Sequence, residues 1–205
     1  MSLSISLHML ARSPIPGRVK TRLIPALGPE GSCDLQRLML ERAMRLPAEG
    51  FSDRFIWLDD GPDESVQALA DEHGWTLVEQ PAGDLGERMR TIAALGLAGS
   101  DAVMLIGNDC PALDGEYLQQ ACSALSKNPA VIGPAEDGGY VLLGLRQLDP
   151  LLFSDMPWGT EKVLRKTCQR LRQLGWAHHL LDPLWDVDRP EDLPRLASLG
   201  IRIEV

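Results

Sequence analysis

One feature constrains this chain more than any other: short apolar runs of strand length alternate with segments of helical period. ISLHML (5–10), FIWLDD (55–60), WTLVEQ (75–80) and AVMLIGND (102–109) read as strands, the last apolar enough to be central. Between them, 30–46 carries Leu35, Leu38, Met39, Ala43 and Leu46 at helical spacing, and DESVQALADEHG reads as a helix closed by Gly74. Helices are also expected over 84–98 and 114–126. Such βαβ units build an α/β fold around a mostly parallel sheet. VIGPAEDGGYVLLGL then sets two apolar runs around a Gly-Gly turn, which breaks the alternation and predicts a mixed sheet. A helix over 160–174, a strand AHHLLD (177–182), a last helix PEDLPRLASLG and an edge strand IRIEV complete the reading. With no internal repeat and no linker, residues 1–205 are expected to form a single domain.

Composition removes several function classes. The formal charge of −9 argues against a nucleic-acid partner, which needs a basic face. No apolar run approaches the roughly 20 residues of a membrane helix, so no membrane partner is expected. The N-terminus lacks a signal peptide's basic start and cleavage site, and Cys33, Cys110, Cys122 and Cys168 form no CxxC pair. A cytoplasmic protein with reduced thiols is the expectation. Oligomeric state is not encoded in any pattern we recognise.

Against that acidic background, Arg12, Arg18, Lys20 and Arg22 fall within eleven residues, immediately after the first strand. Pro14, Pro16 and Gly17 stiffen the loop and let backbone approach a ligand. Ligands of such sheets bind beyond the carboxyl ends of the strands, so this cluster reads as a phosphate clamp rather than a solvated basic loop. It is neither a Walker loop nor GxGxxG.

Taken in order, PIPGRVKTRL, GDLGERM, GNDCPAL, GPAEDGGYVLLGL, WGT and DVDRPEDL resemble a bacterial glycosyltransferase-like family of the nucleotide-diphospho-sugar transferase superfamily. The chain is similar to 2-phospholactate guanylyltransferase and, more distantly, to molybdenum-cofactor guanylyltransferase. The resemblance implies a three-layer α/β/α sandwich, a nucleotide and a divalent cation, magnesium or manganese.

Asp109 ends the central strand before a proline-stiffened turn, a position suited to a hard cation and the metal-binding one in the resembled fold. The resemblance places the second ligand at Asp188, before RPEDL, with Asp186 in reserve; Asp188 as a helix cap is compatible with that role. Asp114 is the better cap for helix 114–126. Before the Gly-Gly turn, Glu136 and Asp137 fit a plain hairpin equally well; the resemblance assigns Asp137, Gly138 and Gly139 to an acceptor site. Thr160 either caps the following helix or binds an acceptor phosphate. Asp84 and Glu87 have capping-box spacing, which leaves Arg88 without a ligand role, and Cys110 reads as a small buried hydrophobe.

The expected chemistry is magnesium-dependent nucleotidyl transfer from a nucleoside triphosphate to a small phosphorylated or carboxylated acceptor, with Lys20, Asp109 and Asp188 as catalytic groups. Arg12, Gly17, Arg18, Lys20 and Arg22 would hold the phosphates. Glycosyl transfer from a nucleotide-sugar, with Glu136 or Asp137 as base, is the alternative, and a non-catalytic nucleotide-binding regulator is the third reading.

Overall fold

A computed structural model of the chain describes residues 3–60 and 64–201. Seven strands form one sheet: β1 (Ile5–Ala11), β2 (Asp53–Leu58), β3 (Thr76–Glu79), β4 (Ala102–Gly107), β5 (Ala130–Pro134), β6 (Tyr140–Leu145) and β7 (His178–Leu180). Their order is β3-β2-β1-β4-β6-β5-β7. Every neighbouring pair is parallel except those of β6, which runs antiparallel to β4 and β5. Too few residues separate β5 from β6 for a crossover, so the DGG turn folds them back as a hairpin. The mixed sheet expected from that turn is present.

Helices α1 (Ile24–Met44), α2 (Glu64–Glu72) and α4 (Gly115–Leu125) cover one face, where Leu40, Val66 and Leu118 meet Leu7, Met9 and Met104. On the other face α3 (Leu85–Gly99) and α5 (Val163–Gln173) bring Ile92 and Leu171 against Leu105 and Leu143. Successive residues of β4 therefore enter opposite cores, which is why its sequence is apolar throughout. The result is the three-layer α/β/α sandwich. A third cluster joins Leu35 and Met39 of α1 to Val187 and Leu196, and so returns the C-terminal segment to the sheet's ligand edge. No described helix is long and apolar enough to cross a membrane.

Several element boundaries differ from the sequence reading. The helix expected at 30 starts at Ile24 and is interrupted at Gly28 (φ 70°, ψ 172°), after which Pro29 opens the longer part. Proline suits a first helical position because its missing N–H would have no partner there. The strand expected over 177–182 shortens to β7, and the last helix breaks into 3-10 turns around the four-residue α6 (Leu193–Leu196), which contains Pro194. Ile201 belongs to no strand; the rest of the expected edge strand, and Asp63 of the expected second helix, lie outside the described residues.

Candidate functional site

Internal partners hold the loop after β1. The Ser13 amide donates to Asp59 Oδ1 at 2.8 Å, Gln36 Nε2 donates to the Arg12 carbonyl at 2.9 Å, and Val19 is buried beneath. Two residues stand in the left-handed region: Gly17 (φ 76°) and, unusually for a residue with a side chain, Lys20 (φ 43°). A non-glycine residue there is strained by about 1–2 kcal/mol, so its surroundings must impose that conformation.

The Lys20 ammonium is where the loop meets the rest of the site. Its side chain is only 5% exposed, and it donates to Asp109 Oδ1 at 2.7 Å and to the Val187 carbonyl at 3.0 Å. In turn the Val187 amide donates to the Asp109 carbonyl at 2.9 Å. One lysine thus ties the ends of β1 and β4 to the C-terminal segment. Arg22 pairs with Asp188 across the same gap, and Asp188 also receives support from within its own turn, where its amide donates to Asp192.

These residues line a cleft of about 880 Å³ at the carboxyl ends of the parallel strands. It brings together Arg12, Lys20, Arg22, Asp109, Asp188, Asp137, Gly139 and Thr160. Gly17, Arg18 and Gly138 are not on its wall. Arg18 instead points to Asp60 at 2.5 Å, an exposed pair of small energetic worth. Gly138 (φ 90°) shapes the turn, since a Cβ there would stand 2.5 Å from the Glu161 carbonyl oxygen. Thr160 does not cap α5, whose cap position is Lys162; its hydroxyl donates to the Pro157 carbonyl at 2.7 Å. Asp84 and Glu87 form the expected capping box, and Asp114 caps α4.

Gln80, Trp158 and Tyr140 escaped the sequence reading as cleft residues, and Arg88, which that reading left without a ligand role, lines the cleft as well. Gln80 donates to the Ala11 and Trp57 carbonyls, and Arg88 donates to Gln80 Oε1 at 3.1 Å; both face the cleft. Trp158 and Tyr140 also line the cleft and meet edge to face, 6.3 Å between ring centroids. A strand-end glutamine or a lone tryptophan carries no spacing signature, although the strand-end position of Gln80 was a usable signal.

Electrostatically the site is crowded with carboxylates. Burial pushes the Asp186 carboxyl up to about 6, and the charges of Asp137, Asp109 and Asp188 push the same way. Glu136 is withdrawn from this group: Arg195 grips it with two bonds of 2.7 and 3.0 Å and holds its pKa below the usual carboxylate range. Cys110 is pushed up to about 12 by burial, so it is a protonated core thiol and no nucleophile. Among the described residues no three His, Cys, Asp or Glu side chains converge as a metal cage. Asp109 and Asp188 both line the cleft, and two carboxylates fit a hard divalent ion that takes its remaining ligands from phosphate and water.

No curated protein matches the sequence. Among solved structures, a protein from Desulfovibrio desulfuricans G20, provisionally described as a nucleotide-diphospho-sugar transferase, superposes with a TM-score of 0.87 at 30% identity. That match covers 98% of this chain and 88% of the other. The 4-diphosphocytidyl-2C-methyl-D-erythritol synthase of Anaerococcus prevotii DSM 20548 has a TM-score of 0.64 at 13% identity, covering 97% of both chains. A CMP:2-keto-3-deoxy-manno-octonic acid synthetase complexed with CTP gives 0.56 at 13%, covering 96% of this chain and 98% of that one. At such identities the last two speak for the fold alone. Residues 42–160, more than half of the chain, match the family described as "Uncharacterized protein conserved in bacteria (DUF2064)". By that match the chain belongs to the bacterial family DUF2064.

Proposed function

We propose that this protein is a nucleotidyltransferase that joins a nucleoside monophosphate, taken from the triphosphate, to a small-molecule acceptor. The observation that carries the reading is the meeting of Arg12, Lys20 and Arg22 with Asp109 and Asp188 in one cleft. Three cations after β1 suit the β- and γ-phosphates, whose oxygens accept from guanidinium and ammonium groups. Lys20 is held rigid by Asp109 and Val187, so its charge is in position before the negative charge on the leaving phosphates develops. Asp109 and Asp188 would hold a magnesium or manganese ion, which supplies charge neutralisation to phosphate oxygens. Arg88 and Gln80, on the wall nearer β3, fit the nucleoside end of the donor.

Glycosyl transfer from a nucleotide-sugar is the second reading, favoured by the description of the Desulfovibrio relative and by the carboxylate of Asp137 on the cleft wall. A thermal-shift screen of the four nucleoside triphosphates and several nucleotide-sugars, with and without magnesium, separates the two. A ligand at 100 times its Kd stabilises by about 2.7 kcal/mol. We expect a magnesium-dependent shift with one triphosphate, abolished in Asp109→Ala. Shifts with nucleotide-sugars alone would transfer the assignment to glycosyl transfer, and no shift with any nucleotide would end both.

A further inference from the structure

We propose that the acceptor is an uncharged hydroxyl compound with a flat apolar face, of the carbohydrate or cyclitol class, seated between Trp158 and Asp137. This rests on the nucleotidyl-transfer reading and departs from the phosphorylated or carboxylated acceptor expected from sequence.

The cleft is electrically one-sided. Its cations, Arg12, Lys20, Arg22 and Arg88, come from the loop after β1 and from α3. The wall built by β6, the 157–160 loop and α5 offers Asp137, Tyr140, Trp158, Thr160 and Val163. Among the described residues no lysine or arginine lines that wall, and Arg195 is consumed by Glu136 outside it. A phosphate or carboxylate docked there would meet the Asp137 carboxylate and no cation from that wall, and an anion desolvated without a partner is strongly disfavoured. A hydroxyl reverses the preference, because a carboxylate accepts hydrogen bonds and has none to donate.

The wall is also built to be rigid. Trp158 stacks edge to face with Tyr140, and a Cβ on Gly86 would stand 2.8 Å from its Nε1, so α3 backs the indole closely. An indole held in place offers an apolar platform to the C–H face of a ring, at little cost in side-chain entropy. The Gly139 amide donates to Asp137 Oδ1 at 2.8 Å and fixes that carboxylate at the rim.

The step then balances simply. The acceptor hydroxyl oxygen attacks the α-phosphorus and a new O–P bond forms. The bond from that phosphorus to the bridging oxygen breaks, and pyrophosphate leaves with the electron pair. The hydroxyl proton passes to the Asp137 carboxylate.

The test uses matched sets with the magnesium–triphosphate complex: glucose with glucose 1-phosphate and glucuronate, and myo-inositol with its monophosphate. Pyrophosphate release reports turnover and calorimetry reports triphosphate affinity separately. We expect turnover with neutral members and a kcat/KM at least about tenfold below theirs for the phosphorylated partners. Trp158→Ala should raise acceptor KM about tenfold, with triphosphate Kd changed less than about twofold. Asp137→Asn should lower kcat about 100-fold at unchanged triphosphate Kd. A merely structural tryptophan would instead lower the melting temperature and weaken both ligands together. Preference for phosphorylated or carboxylated members, or tight triphosphate binding with no turnover of any neutral member, overturns the acceptor assignment. Absence of triphosphate binding overturns the parent reading instead.

Discussion

Lys20 combines two properties that a substitution can pull apart. Its backbone stands at φ 43°, where glycine is at ease, while its ammonium bridges Asp109 and Val187. Replacing it with Met removes the charge and keeps the strain; replacing it with Gly removes both. Since the left-handed conformation costs a side-chain-bearing residue about 1–2 kcal/mol, Lys20→Gly should melt about 2–4 °C or more above Lys20→Met. Both should lose triphosphate-dependent stabilisation. Equal melting temperatures would mean that the loop relaxes once the ammonium is gone, and that the contacts of Lys20 create the strain rather than bear it. Sequence reading found this lysine through its place in a basic cluster after a strand. It could not find the strain, because nothing in VKTR distinguishes a left-handed lysine from an ordinary one.

At the scale of elements, the alternation of strand and helix was legible because it follows from periodicity, and the hairpin was legible because Gly138-Gly139 interrupts it. The two glycines are not equivalent. Gly138 needs its positive φ of 90° and has Glu161 backbone atoms 2.5–2.6 Å from a prospective Cβ; Gly139 has no such φ, and its nearest neighbour is Asp137 Oδ1 at 3.1 Å. Gly138→Ala should therefore destabilise by about 2 kcal/mol or more in urea titration, by forcing the hairpin and the 157–162 loop apart. Gly139→Ala should cost less than about 1 kcal/mol and act mainly on Asp137. Comparable losses from the two would show that the close approach at Glu161 is not what fixes the turn. Element starts were read less well: α1 begins six residues before the expected position because Gly28 and Pro29 look like a loop and serve as a kink. The tryptophan–tyrosine wall was not legible at all, since it is made by residues 18 positions apart that meet only once β6 and α5 are packed.

For the molecule as a whole, a buried histidine makes stability depend on pH. His8 lies in β1 at 2% exposure, stacked on Phe55 with ring centroids 4.9 Å apart. The Trp57 indole N–H donates to its Nδ1 at 3.0 Å, so the proton of the neutral ring sits on Nε2 and is donated to Ser6 Oγ, also at 3.0 Å. Gly96 of α3 completes the enclosure: a Cβ there would be 2.8 Å from Nε2. Burial lowers the pKa from 6.5 to about 4, and the nearby Asp53 offsets only part of that. Well above pH 6.5 the ring is neutral in both folded and unfolded chains and contributes no pH dependence. As pH falls from 6.5 towards 4, the unfolded chain binds a proton that the folded chain refuses, so stability drops by up to about 1.4 kcal/mol per pH unit, about 3 kcal/mol in total. Carboxylates titrate in the same interval, and a variant isolates the histidine: His8→Gln keeps a polar group at the site but cannot titrate. Urea unfolding between pH 4.5 and 7.5 should give the variant a flatter stability profile than the parent below pH 6.5 and a parallel one above it. Parallel profiles throughout would mean that the core around β1 opens to admit a charged imidazole. The sheet beneath the phosphate loop would then be less rigid than its packing indicates, and the preorganisation of Lys20 would rest on Asp109 and Val187 alone.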